Sequence, residues 1–221
     1  MKRFGYILID GYALMSTAAA LEPLRAANFF SGSTLYDVRI LSTARTVVTS
    51  SAGSHFHAVP LASAGFDFDI VFVVTGSDTA GPDSQILDAW LRHAAKRGIA
   101  LGSISGGGVV LARAGLLAKR RFTVHWHHFA EIEAMGQGQL LERRLFVIDR
   151  DRYTCAGGTA PLDMMHAIIT RDHGADFADR IGDWFIQPEA RLASAPQKSS
   201  LQARYGALNA KVDAAIELME T

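Results

Sequence analysis

The chain has 221 residues, 49% of them hydrophobic and 20% charged, a composition that suits a soluble globular α/β unit with a substantial core. Lysine plus arginine and aspartate plus glutamate number 22 each, so the basic excess of a nucleic-acid-binding domain is absent. A single cysteine excludes an intramolecular disulfide and a CxxC metal pair, and no apolar run reaches signal-peptide or membrane-spanning length, which predicts a cytoplasmic protein without a membrane partner.

Phe4 to Ile9 reads as a first strand. The Asp10-Gly11 turn leads to a helical pattern over Tyr12 to Asn28, carried by Leu14, Ala18, Leu21 and Leu24, which Pro23 is expected to bend or interrupt. Ser31-Gly32-Ser33 closes it. Leu35 to Ser42 alternates as a strand does, with Val47 to Thr49 as a short neighbour. Asp69 to Thr75 is a continuous apolar run, the pattern of a central parallel strand buried on both faces. Gly76-Ser77 ends it, and Ser84 to Arg97 forms a helix.

The next stretch organises the chain. An apolar run through Ile104 stops at Ser105, Gly106-Gly107-Gly108 follow, and Val109, Val110, Leu111, Ala114 and Leu117 begin a helix with one buried face. Strand, tight turn and helix with a small polar residue at the apex is the pattern of a nucleophile elbow. Arg121 to Val124 then reads as a short strand and His127 to Met135 as a helix. Leu145 to Ile148 and Tyr153 to Cys155 form a hairpin turning at Asp149 to Arg152. Ala156-Gly157-Gly158-Thr159 opens a helix over Pro161 to His173 with Thr159 as its cap, and a last helix covers Ala175 to Trp184. The alternation predicts a doubly wound, mostly parallel sheet sandwiched by helices, flavodoxin-like, with ligands near the strand C-termini.

Composition changes at Gln187, and residues 187–206 read as a linker. Beyond it, Val212, Ala215, Ile216 and Met219 share one face of a lone amphipathic helix over Asn209 to Met219. Such a helix docks on the main domain, mediates dimerisation, or begins a further domain. The last of these is the preferred reading.

Ser105 is either a nucleophile or a small polar residue in a tight turn. A serine hydroxyl needs an adjacent base; His125 follows a short strand that can return to the elbow, but no acid is placed to orient it. The run His125-Trp126-His127-His128 invites a metal reading, yet no acid or cysteine stands at ligand spacing, and no metal is predicted. Instead His125 is expected to line a pocket, Trp126 to stack or support, and His127 and His128 to face solvent. Cys155 is either core packing or a pocket-edge thiol. Gly157-Gly158-Thr159 offers backbone N–H groups to an anion, or simply turns the chain; Asp10-Gly11 carries the same ambiguity. No glycine cluster matches a Walker loop or dinucleotide fingerprint, so no cofactor is predicted.

Ile104-Ser105-Gly106-Gly107 with Leu111 to Leu117, followed by Thr123-Val124-His125-Trp126, resembles the class I glutamine-amidotransferase-like superfamily that includes PfpI-type peptidases. Glu22-Pro23-Leu24-Arg25-Ala26-Ala27-Asn28, Leu145 to Asp149, Tyr153 to Thr159 and Arg171 to Gly174 narrow this to AraC-type transcriptional regulators with an amidotransferase-like sensor domain. The resemblance implies a sensing domain over residues 1–186, a linker over 187–206, and at 207–221 the start of a helix-turn-helix domain that this chain does not complete. Catalytic members carry an elbow cysteine where this chain has Ser105, an acid where it has Ser16, and a glycine pair where it has Gly76-Ser77. A non-catalytic pocket is therefore expected, formed by Ser16, Gly76, Ser103, Ser105, Gly106, His125, Trp126 and Gly157. It would hold a small nitrogenous effector such as an amino acid or quaternary amine. A homodimer that meets DNA only through the C-terminal domain completes this expectation. The alternative is a PfpI-like hydrolase or amidase using Ser105 and His125.

Overall fold

The computed structural model describes residues 1–79 and 84–198; the helix expected over Asn209 to Met219 lies outside them. The chain opens with β1 (Lys2–Leu8) and α1 (Leu14–Ser31), then β2 (Tyr36–Ser42), β3 (Val47–Thr49), β4 (His55–His57), β5 (Val59–Pro60) and α2 (Leu61–Ala64). The middle is β6 (Ile70–Thr75), α3 (Ser84–Lys96), β7 (Ala100–Ser105), α4 (Gly107–Arg113) and β8 (Arg121–Phe122). A 3₁₀ turn at Trp126–His128 runs into α5 (Phe129–Ala134), followed by β9 (Leu140–Leu141), β10 (Phe146–Asp149), β11 (Arg152–Cys155), α6 (Ala160–His173) and α7 (Ala175–Trp184).

Seven strands form the main sheet in the order β10-β11-β7-β6-β1-β2-β5. All neighbours are parallel except β10, which pairs antiparallel with β11 as the expected hairpin. Strand order reverses between β1 and β6, and the crevice above such a switch point is where open α/β sheets bind ligands. Both faces are buried, as the apolar run of β6 predicts. Phe72 and Val74 join Tyr6 and Leu8 under α1, α6 and α7, while Val71 and Val73 join Ile7 and Leu101 under α3 and α4. Each fully buried side chain of this size contributes about 1.5–3 kcal/mol. Among the described residues no helix is long and apolar enough to cross a membrane.

Three local expectations need correction, and the first part of the expected linker makes contacts of its own. α1 runs unbroken through Pro23 to Ser31, ending at Gly32 in the left-handed conformation. Pro23 faces a small cleft lined by Leu162, Ala178 and Ile181, and packing on α6 and α7 outweighs the lost backbone bond. β3 pairs with β4 in a separate antiparallel ribbon instead of joining the main sheet. Thr159 makes no side-chain cap; its Oγ1 accepts from Arg191 Nη2 at 2.8 Å. Finally, residues 187–198 lie against the domain. Asp163, its side chain fully buried, accepts from Gln187 Nε2 (2.9 Å), Arg191 N (2.8 Å) and Arg191 Nη2 (2.7 Å), and Ala195 O accepts from Leu145 N at 3.1 Å. Composition reports the shortage of apolar side chains there, but not these polar anchors.

Candidate functional site

β7 ends on Ser105, whose φ of 59° lies in the left-handed region that non-glycine residues seldom adopt. The residues around it permit no bulk. A Cβ on Gly106 would come within 2.4 Å of Thr75 Oγ1 and 2.7 Å of Gly76 O, and one on Gly157 within 2.8 Å of Ser105 Cβ. The glycines therefore let three backbone segments, at Thr75-Gly76, Ser105-Gly106 and Gly157, converge around a single hydroxyl. This is the strand–turn–helix geometry expected of the elbow.

A cavity of about 350 Å³ opens above it. Gly11, Ala13 and Ser51 form one side, Gly76 and Ser77 the end of β6, and Ser105 the floor, with His125, Trp126, His127 and His128 opposite. Of the expected pocket residues, Gly76, Ser105, His125 and Trp126 line this cavity. Ser16 is instead buried in the first turn of α1, and Ser103 sits below the elbow with its Oγ buried and unpartnered. Gly106 and Gly157 act as packing positions around Ser105 and are not among the lining residues. Cys155 is no pocket-edge thiol: it lies wholly in the core, and burial pushes its pKa up to about 12, so the nucleophilic thiolate is suppressed.

The loop after β8 returns to the elbow through a hydrogen bond from His125 N to Ser105 O, 3.3 Å long. His125 Nδ1 accepts from His127 N at 3.2 Å, which places the proton of the neutral ring on Nε2. Burial first, then the neighbouring His128 and His127, lower the pKa of His125 below the usual imidazole value. The ring is thus a neutral donor at physiological pH, and its Nδ1 is held by a backbone amide.

His128 corrects another expectation. It is buried, not solvent-facing, and its Nδ1 lies 3.0 Å from Glu131 Oε2. Glu131 Oε1 accepts from Thr79 Oγ1 at 3.0 Å, Thr79 O accepts from Arg113 Nη1 at 2.9 Å, and Arg113 pairs with Asp88. A Cβ on Gly106 would meet His128 Nε2 at 2.9 Å, so the ring's far nitrogen faces the elbow. The spacing of His128 and Glu131, one helical turn apart, is the signal that could have revealed the pair. No cluster that could hold a metal occurs among the described residues.

Parallel sheet, strained elbow and returning histidine loop define a DJ-1/PfpI-type domain. Residues 7–171 match the DJ-1/PfpI family, and the chain belongs to it. The HTH-type transcriptional regulator GlxA of Rhizobium meliloti is 40% identical over 100% of this chain and 68% of its own length. The HTH-type transcriptional regulator CdhR of Pseudomonas aeruginosa is 34% identical over 98% of this chain and 64% of its own. The chain therefore spans about two thirds of the curated relatives it matches. The crystal structure of an AraC family transcriptional regulator from Pseudomonas putida superposes with a TM-score of 0.78 at 25% identity, covering 84% of this chain and 100% of that one. The similarity is to regulators of this type, as the sequence motifs imply.

Proposed function

We propose that this chain is the non-catalytic effector-sensing part of a transcription regulator, with residues 1–186 as the sensing domain and 207–221 as the beginning of a C-terminal DNA-binding domain. The observation that carries this reading is the cavity above Ser105. It stands where ligands bind such sheets, yet its apex is a serine hydroxyl, and the imidazole that follows the returning strand, His125, is held through Nδ1 by a backbone amide in place of an acid. A small nitrogenous metabolite, an amino acid or amine, fits a space of this size. Ser105 and His125 would fix its polar groups and Trp126 its cationic end. Binding would then bias a homodimer and so the spacing of two DNA-binding domains.

Calorimetric titration with an amine and amino-acid library tests this reading. Ser105→Trp fills the cavity and is expected to weaken an identified effector at least tenfold, about 1.4 kcal/mol. Unchanged affinity would place the effector elsewhere.

One observation favours a second reading, a hydrolase or amidase. The carboxylate-held imidazole at this cavity is His128, not His125, so such an enzyme would use Ser105 as nucleophile with His128 as base and Glu131 as its orienting acid. Turnover of an amide or ester that disappears in both Ser105→Ala and His128→Gln would establish it; a sensor shows no turnover to lose.

A further inference from the structure

The described part of the segment that follows α7 ends against the histidine loop that walls the cavity. Gln197 holds the histidine loop: Oε1 accepts from Trp126 N at 2.8 Å, and the two N–H groups of Nε2 are shared among Thr123 Oγ1 (3.0 Å), Val124 O (2.9 Å) and, outside the loop, Arg144 O (2.8 Å). The next residue, Lys198, places its Nζ 4.6 Å from the centre of the Trp126 ring, within cation–π range. The loop held in this way is the one bonded to Ser105 through His125, and Trp126 itself lines the cavity. None of the lining residues carries a carboxylate. Among the lining residues Trp126 offers its indole ring to a cation entering here, and the chain's own ammonium already stands against that ring.

We propose that Lys198 is a tethered competitor for the Trp126 face, and that a cationic effector unseats it and loosens the Gln197 latch beside it. This rests on the sensor reading above and adds to it the place of the ligand's charge and its route outward. Two ammonium groups repel and share one partner, so occupancy by one opposes occupancy by the other. In sequence Lys198 leads into residues 199–221 and towards the C-terminal domain. Displacing it converts a binding event at the elbow into a change in how the segment from Gln187 to Lys198 is held.

The test uses the whole 221-residue chain with tetramethylammonium chloride as the probe, against sodium chloride at equal ionic strength. Lys198→Met, which keeps length and removes charge, is expected to tighten tetramethylammonium binding about two- to fivefold, the size of an exposed cation–π contact. Saturating probe is expected to speed amide exchange at Trp126 in the unsubstituted chain, and Gln197→Ala to speed it without probe. Equal affinity in Lys198→Met and the unsubstituted chain, or unchanged Trp126 exchange on binding, overturns the proposal. Absence of tetramethylammonium binding to both also overturns it, while the sensor reading stands if another library metabolite titrates. If none does, the sensor reading falls as well.

Discussion

The backbone N–H of His125 donates to the carbonyl of Ser105 across 3.3 Å, and that bond seats the histidine loop over the elbow. It pairs the strained residue at the apex with the first residue of the loop that walls the cavity. The floor of the cavity and one of its walls are therefore joined through the backbone.

The backbone at Ser105 provides the first prediction. A side chain held at a φ of 59° costs about 1–2 kcal/mol, and more when β-branched. Ser105→Gly is expected to stay within about 1 kcal/mol of the parent, because relief of strain offsets the added entropy of the unfolded chain. Ser105→Val is expected to fall at least about 2 kcal/mol below Ser105→Gly. Urea unfolding of the two variants measures the difference, and equal midpoints would remove strain from the account.

Gly106 offers a steric test. An added methyl would press on Thr75 Oγ1, on the carbonyl of Gly76 and on His128 Nε2 at once, and the carbonyl is backbone that cannot swing away. Gly106→Ala is expected to cost about 2–4 kcal/mol. The same substitution at Gly158, which has open space around its missing Cβ but a φ of 60°, is expected to cost only about 1 kcal/mol. Thermal melts that rank the two in the opposite order would argue against this geometry.

These outcomes bear on what the sequence makes legible. The elbow, the hairpin at Asp149 to Arg152 and α7 follow from local signals: glycines after an apolar run, a turn between alternating strands, and a helical period. What escaped was set by tertiary structure. Pro23 stays helical because its flank packs on α6 and α7, and Thr159 does not cap because Arg191 takes its hydroxyl. His128 is buried by a bond to Glu131 that only the fold orients, and Cys155 sits inward because of the register of β11. Half of the expected pocket residues line the cavity because the motif locates the elbow, whereas Ser16, Ser103, Gly106 and Gly157 surround it without reaching the open space.

His125 predicts a pH dependence. Its folded pKa lies below the free value of 6.5, chiefly through burial. Between the folded value and 6.5 the unfolded chain binds more protons than the folded one, so stability rises with pH through that window and the penalty vanishes above it. His125→Gln is expected to flatten the rise in urea midpoint as the pH climbs towards 6.5. A parent protein whose midpoint falls over that range, or a variant with the parent's full slope, would contradict the assignment.

Asp163 anchors the start of the segment that ends at Lys198. Its carboxylate is buried and takes bonds from Gln187 and from both the backbone and guanidinium of Arg191. Asp163→Ala is expected to lose about 2–4 kcal/mol, with the greatest rise in amide exchange at Arg191. Limited trypsin digestion should then cut after Arg191 much faster than in the parent chain. Unchanged cleavage there would mean that the later contacts alone hold the segment.

The outermost strand of the main sheet, β5, consists of Val59 and Pro60 only, and proline brings no N–H to a ladder. Along those two residues a second polypeptide finds little to template against. Growth of the sheet from one molecule into the next is therefore disfavoured over the stretch of β2 that β5 covers, at Leu41 and Ser42.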